Sequence, residues 1–277
     1  MSDVVRYEVA DRVATITLDR PEARNALSRE VIRLLPELVL RADGDPDVDV
    51  VILTGTDPAF CAGVDLKELG ATNAIPGLGA DAKALSRDAG TLDTRPGPFP
   101  AIAKPMIGAV NGVAVTGGFE LALNCDLLIA SDRARFADTH CRIGVQPGWG
   151  LTVLLAEAVG ARRARQLSIT GNFLDASTAL AWGLVNEVVP HDELLPRCRA
   201  LAADIVSNDQ AGVRRILRTY AENELLAGAD AWRNETAVSD AWFAELATRP
   251  GEVEARRQAV VERGRQQAGG PEATSER

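Results

Sequence analysis

The sequence is poor in histidine, in positive charge and in long apolar runs. Only two histidines, His140 and His191, occur among 277 residues, and no H-E-x-x-H pattern joins them. A histidine-built zinc site is therefore not expected, nor any other metal site. Lysine and arginine total 30 against 39 aspartate and glutamate, a formal net charge of −9. That deficit argues against a nucleic-acid or anionic-membrane binder; any anionic ligand must be held by local backbone and a few cations. No apolar run reaches the roughly 18 residues of a membrane span. Met1–Ala10 lacks the basic-then-apolar pattern of a secretory signal. The cysteines Cys61, Cys125, Cys141 and Cys198 form no C-x-x-C pair and read as free thiols of a reducing cytoplasm. Neither G-x-x-x-x-G-K-[ST] nor G-x-S-x-G is present, which removes the P-loop and the nucleophile elbow.

What is present is ordinary globular chemistry, 46 % hydrophobic and 25 % charged, in a length that suits one large domain or one with an appendage. Val4–Ala10 and Arg12–Leu18 are β-rich runs separated by Asp11 and are expected to pair. After Ser28, a helix N-cap by type, Val31, Leu34, Leu35, Leu38 and Val39 form an amphipathic stripe that Pro36 should kink or shorten. Val50–Thr54 is a continuous apolar run, as in a strand buried on both faces. Further strands are expected at Lys104–Val110 and Leu127–Ala130; Val113–Thr116 leads into Gly117-Gly118, and Leu184–Val189 closes the α/β part. Helices are expected at Phe119–Asn124, Thr152–Val159 and Ala161–Ser168, and from Asp175 to Gly183. Such alternation defines an α/β architecture. Gly70–Pro100 reads as a long loop with one short helical stretch at Asp81–Arg87. From Glu193 the chain turns helical and charged, with Trp232, Trp242 and Phe243 as anchors. No internal repeat is evident.

Three segments carry possible chemistry. Phe60-Cys61-Ala62-Gly63-Val64-Asp65-Leu66 follows a buried strand, and its small residues let free N–H groups approach a ligand or polarise a carbonyl. A plain strand-to-helix turn with Asp65 as its cap explains it equally. Gly117-Gly118-Phe119-Glu120 opens an apolar helix, aiming unpaired N–H groups forward. Glu120 there is either a dipole-complementing residue or a buried carboxylate with a role. Asp138 and His140 share one side if the chain is extended. A histidine near pKa 6.5 can exchange protons at neutral pH, or be a solvated loop residue.

Taken together, these segments resemble the enoyl-CoA hydratase/isomerase, or crotonase, superfamily from about Val4 to Glu193. The resemblance also rests on Arg20–Leu27, Lys104–Gly112, Cys125-Asp126, Pro147-Gly148-Trp149-Gly150, Thr170-Gly171, Ala179, Gly183-Leu184-Val185 and Val188-Val189. It implies a spiral of repeated ββα units over residues 1–193 and a helical C-terminal trimerisation region over 194–268; by composition the tail over 269–277 reads as disordered. It also implies a homotrimer or dimer of trimers.

The implied substrate is an acyl-CoA thioester, with coenzyme A part of the substrate and no separate cofactor. By position, the backbone N–H groups of Val64 and Gly117 would form the oxyanion hole. Ala23, Arg24, Ala62, Val64, Asp65, Leu66, Lys67 and Gly117 would contact substrate or CoA, Arg24 and Lys67 as local cations. Hydratases of this family hold water between two glutamates; Glu120 matches the first, and His140 stands in place of the second. The resemblance thus implies a hydratase using Glu120 and His140 as catalytic groups, with Asp138 assisting. An isomerase or other single-carboxylate crotonase reaction, and a non-catalytic acyl-CoA-binding protein, are the alternatives.

Overall fold

A computed structural model describes residues 4–68 and 97–224 and the single positions Leu226, Ala237 and Ala241. The helical stretch at Asp81–Arg87, the anchors Trp232, Trp242 and Phe243, the tail and most of the Gly70–Pro100 loop lie outside the described residues. The chain divides into two compact units, Met1–Leu217 and Arg218–Arg277. In the second, Arg218 pairs with Glu222 one helical turn on, at 2.8 Å.

In the first unit, β1 (Val5–Ala10) and β2 (Val13–Leu18) form an antiparallel hairpin, and β3 (Val50–Gly55) runs parallel to β2. Strands β5 (Met106–Val110), β7 (Leu127–Ser131) and β10 (Glu187–Val189) extend this sheet in the order β1-β2-β3-β5-β7-β10. A second sheet, ordered β4-β6-β8-β9, comprises β4 (Ala59–Cys61), β6 (Val113–Val115), β8 (Arg135–Ala137) and β9 (Leu174–Asp175). Its two to three residues per strand are too few to show periodicity, so none of its strands stands out in the sequence.

The chain alternates between the sheets: β3 then β4, β5 then β6, β7 then β8. Helix α2 (Gly117–Leu123) follows β6, and α3 (His140–Ile143) follows β8. This is the ββα spiral that the resemblance implies. The repeat lies in the backbone and leaves no repeated sequence.

The unbroken apolar run of β3 reflects burial on both faces. With side chains alternating, Val51 and Leu53 enter the main core, while Val50 and Ile52 join Val13, Ile107, Ala109 and Ile129 in a second cluster. That cluster is covered by Leu194, Cys198 and Ala202 of α7 (Leu194–Val206). Helices α4 (Leu151–Val159), α5 (Ala161–Thr170) and α6 (Ala176–Trp182) precede it, and α8 (Gln210–Glu224) follows.

Several expectations need correction. Helix α1 (Arg29–Gly44) is capped by Ser28 Oγ, which accepts from Val31 N–H at 3.3 Å, and it is not shortened at Pro36. An interior proline costs about 3 kcal/mol. Here Pro36 is buried beside Val31, Leu35, Val39 and Ala42, and that packing offsets the cost. The strand expected from Lys104 starts at Met106; Lys104 Nζ instead donates to the carbonyls of Ala42 and Asp45 at 2.7 and 2.6 Å, closing the end of α1. Helix α2 starts two residues before Phe119. Of Leu184–Val189, only the last three residues are strand, because the Leu184 N–H bonds Ala179 O and finishes α6.

Candidate active site

The site is built where α2 meets β4. A Cβ on Gly118 would lie 2.2 Å from the Cys61 carbonyl oxygen, so only glycine lets the helix seat this closely on the strand. Thr116, the N-cap, adopts φ 55°, ψ −117°. A β-branched residue held there is strained by about 1–3 kcal/mol. Its amide bonds Ala137 O at 3.0 Å and its hydroxyl meets Thr139 Oγ1 at 2.7 Å, which over-determine the kink.

Val64 is placed by an isolated parallel bridge to Leu27: Leu27 N–H donates to Gly63 O at 2.8 Å and Asp65 N–H to Leu27 O at 3.1 Å. Alternation turns the intervening Val64 N–H to the other side. A Cβ on Gly117 would stand 3.1 Å from Leu27 Cδ1, 3.4 Å from Trp149 Cζ3 and 3.8 Å from Val64 Cγ2. Val64 and Gly117 are thus neighbours, and neither N–H has an acceptor among the described residues.

Glu120, one turn into α2, is 3 % exposed. Its Oε1 accepts from Trp149 N–H at 2.7 Å and Gly148 N–H at 3.2 Å. Asn124 steadies the same turn by donating to Glu120 O and Trp149 O. The other carboxylate oxygen, Oε2, lies 3.5 Å from His140 Nε2. These two backbone donors were not singled out in the sequence. The only available signal is the Gly148-Trp149-Gly150 turn, since a backbone N–H has no residue signature.

His140 and Asp138 do meet, but not on an extended strand. Asp138 folds its carboxylate over the start of α3, and Oδ1 accepts from the His140 backbone N–H at 3.1 Å and ring Nδ1–H at 2.6 Å. Burial disfavours the charged ring, yet hydrogen bonds to Asp138 and Glu120 and the charges of both outweigh it, raising His140 to about 9. Burial likewise opposes ionisation of Asp138. Its bonds from His140 and Ser168 hold the carboxyl below the usual range. These partners favour the protonated form of the ring, which lies between Asp138 and Glu120. Cys61 is no nucleophile, because burial pushes its thiol up to about 12.

The remaining residues flank this centre. Ala62 N–H donates to Arg24 O at 3.0 Å, laying the Ala23–Arg24 and Ala62–Lys67 segments side by side. The Arg24 and Lys67 side chains are exposed and pair with no described residue; Leu66 is also exposed. Asp65 is turned inward: Arg20 Nη2 donates to it at 3.0 Å and Lys67 N–H at 3.1 Å. Burial opposes its ionisation, but these bonds hold its carboxyl low. Its side chain locks the loop, as the cap reading anticipates. His191 is remote from the centre and bonds Ser131 and Asp57. Among the described residues no cluster of His, Cys, Asp or Glu is arranged to hold a metal ion, and no helix is long and apolar enough to cross a membrane.

Fold and site define an α/β-spiral protein with two neighbouring backbone donors that have no acceptor among the described residues and a buried Glu120–His140 pair. The chain belongs to the enoyl-CoA hydratase/isomerase family, whose model matches residues 8–262. It is 42 % identical over 204 residues to "Probable enoyl-CoA hydratase 1, peroxisomal" of Arabidopsis thaliana, covering 74 % of this chain and 73 % of that protein. It is 36 % identical over 219 residues to a crotonyl-CoA hydratase of Syntrophomonas wolfei, covering 78 % and 80 %. An enoyl-CoA hydratase structure from Mycobacterium tuberculosis H37Rv superposes with a TM-score of 0.71 at 46 % identity, covering 86 % of this chain and 98 % of that one.

Proposed function

We propose that this protein is an enoyl-CoA hydratase, adding water across the C2–C3 double bond of a 2-enoyl-CoA. The observation that carries the reading is the approach of Glu120 Oε2 to His140 Nε2 at 3.5 Å, with Glu120 one turn past Gly117, whose N–H, like that of Val64, has no acceptor among the described residues. The N–H groups of Val64 and Gly117 bind the thioester oxygen, where enolate charge develops; one such donor is worth about 10²–10³ in rate. Glu120, fixed through Oε1, takes a proton from water as the water oxygen bonds C3. His140 delivers its Nε2 proton to C2 of the enolate. The proton on Glu120 then returns to His140 across their contact, restoring both groups, so that one water is added per turnover. The exposed Arg24 and Lys67 meet the CoA phosphates, and Ala23, Ala62 and Leu66 line the path to the thioester. Coenzyme A enters as part of the substrate.

Assembly as a homotrimer or dimer of trimers belongs to this reading. The four free cysteines suit a cytoplasmic setting. Purified protein should bleach the absorbance of the conjugated thioester of crotonyl-CoA or a longer 2-enoyl-CoA. Tight binding of CoA esters without turnover at any chain length would mean a binding protein instead. Migration of the double bond without net water addition would mean an isomerase.

A further inference from the structure

We propose that Asp138 is a positioning residue for this reaction, fixing the His140 ring with Nδ1 turned inward and Nε2 turned toward Glu120. The inference rests on the hydratase reading for its catalytic meaning, but its geometry stands alone. Asp138 is 1 % exposed, and its Oδ1 receives both the backbone N–H and the ring Nδ1–H of the same histidine. A carboxylate tied to the backbone it serves cannot swing away, so the ring is held in one rotation. An ionised carboxylate only accepts hydrogen bonds, so the nitrogen 2.6 Å from it must keep its proton. The proton that comes and goes is therefore the one on Nε2, facing Glu120 Oε2 at 3.5 Å. In free histidine a neutral ring can carry its proton on either nitrogen; here the shorter contact decides.

Among the described residues the charged surroundings of the ring are few. Glu120 faces it from α2 and Asp138 from the turn before α3. From α5, Ser168 bonds Asp138, while Arg162, Arg163 and Arg165 are exposed and do not act on the ring. On α3 itself, Arg142 is engaged by Thr170 O and Asn172. Removing the Asp138 charge leaves Glu120 as the only carboxylate described beside the imidazolium.

Two histidines in the chain make the test direct. In protein labelled with ¹⁵N-histidine, His140→Gln assigns the signals, and the wild type is titrated to above its His140 midpoint. The neutral ring is expected to keep its proton on Nδ1; a proton on Nε2 would overturn the proposal without any variant having to fold. In Asp138→Asn the His140 midpoint should fall, and the basic limb of the kcat profile should move down with it. In the same variant kcat should drop by about 10²–10⁴-fold, the range for losing a poised general acid, with KM nearly unchanged. Asp138→Glu should recover part of both. An unmoved His140 midpoint in a folded Asp138→Asn protein would equally overturn the proposal. Failure of the wild type to hydrate any enoyl-CoA would refute the reaction and leave the nitrogen spectra to judge the ring geometry.

Discussion

His140 Nε2 stands 3.5 Å from Glu120 Oε2, although the two side chains come from helices that follow different strands of the second sheet. The separation is slightly long for a hydrogen bond, and the proposed hydration asks of this pair that it open to admit a water and close to exchange a proton. The rigid partners lie on the far sides: Trp149 N–H at 2.7 Å behind Glu120 and Asp138 at 2.6 Å behind His140. Each reactive atom is braced from the rear and left loose in front.

Glu120→Gln should reduce enoyl-CoA hydration to background, because the amide retains an oxygen for the Trp149 N–H but cannot take a proton from water. Loss of a general base costs about 10²–10⁴ in rate. The decrease in thioester absorbance, followed with protein whose melting temperature is checked in parallel, measures it. An unchanged rate would remove Glu120 from the chemistry.

His140→Glu creates the pair of glutamates that the family resemblance implies for a hydratase, yet it is expected to lower activity. The new carboxyl would face Asp138 and Glu120, both already 3 % exposed or less, and three buried acids repel one another. We expect kcat to fall by about 10²-fold or more. A substantial rise in hydration would instead mean that the native imidazole serves another reaction.

Stability should respond to pH through the same ring. His140 is raised to about 9 in the folded protein, above the ordinary value of 6.5. The folded state therefore binds more protons than the unfolded one between these values. The stabilisation is complete below about pH 6.5 and declines as pH rises through about 9. Comparing melting temperatures of wild type and His140→Gln across pH 6 to 10 isolates it: the wild-type advantage should shrink toward alkaline pH. A difference constant with pH would contradict the buried imidazolium.

The two adjacent glycines of α2 should separate stability from activity. Gly118→Ala drives a Cβ into the backbone carbonyl of Cys61, which cannot yield as a side chain can. A cost at or above the roughly 1–3 kcal/mol of ordinary overpacking is expected. Gly117→Ala meets the side chains of Leu27, Trp149 and Val64 at 3.1 to 3.8 Å, and these can adjust. It should unfold near the wild-type temperature while hydrating more slowly, since its methyl crowds the free amides. Chemical denaturation and initial rates on the same samples distinguish the two.

Much of this was legible in the residues. The long strands announced themselves because β3 must be apolar on both faces, between the main core and the α7 cluster. Glu120 could be singled out as a carboxylate in an all-apolar helix. The second sheet is not legible, because strands of two or three residues have no period. Pro36 does not shorten α1, because its local cost is offset by burial that only the tertiary packing supplies. The meeting of Asp138 with His140 was anticipated through the wrong geometry, a shared strand face in place of a carboxylate folded over a helix start. The grip of Trp149 on Glu120 was invisible, since any residue but proline offers the same N–H.

The alternation of strands between the two sheets has a consequence for how the protein can change. Val64 follows the first turn of the spiral, Gly117 and Glu120 the second, and His140 the third. Like marks on adjacent threads of a screw, their spacing follows the pitch, the roughly 4.8 Å between neighbouring strands, and not the lengths of the connections. Loops joining the threads can lengthen or shorten without moving the marks. Removing one whole thread would take a reacting group with it.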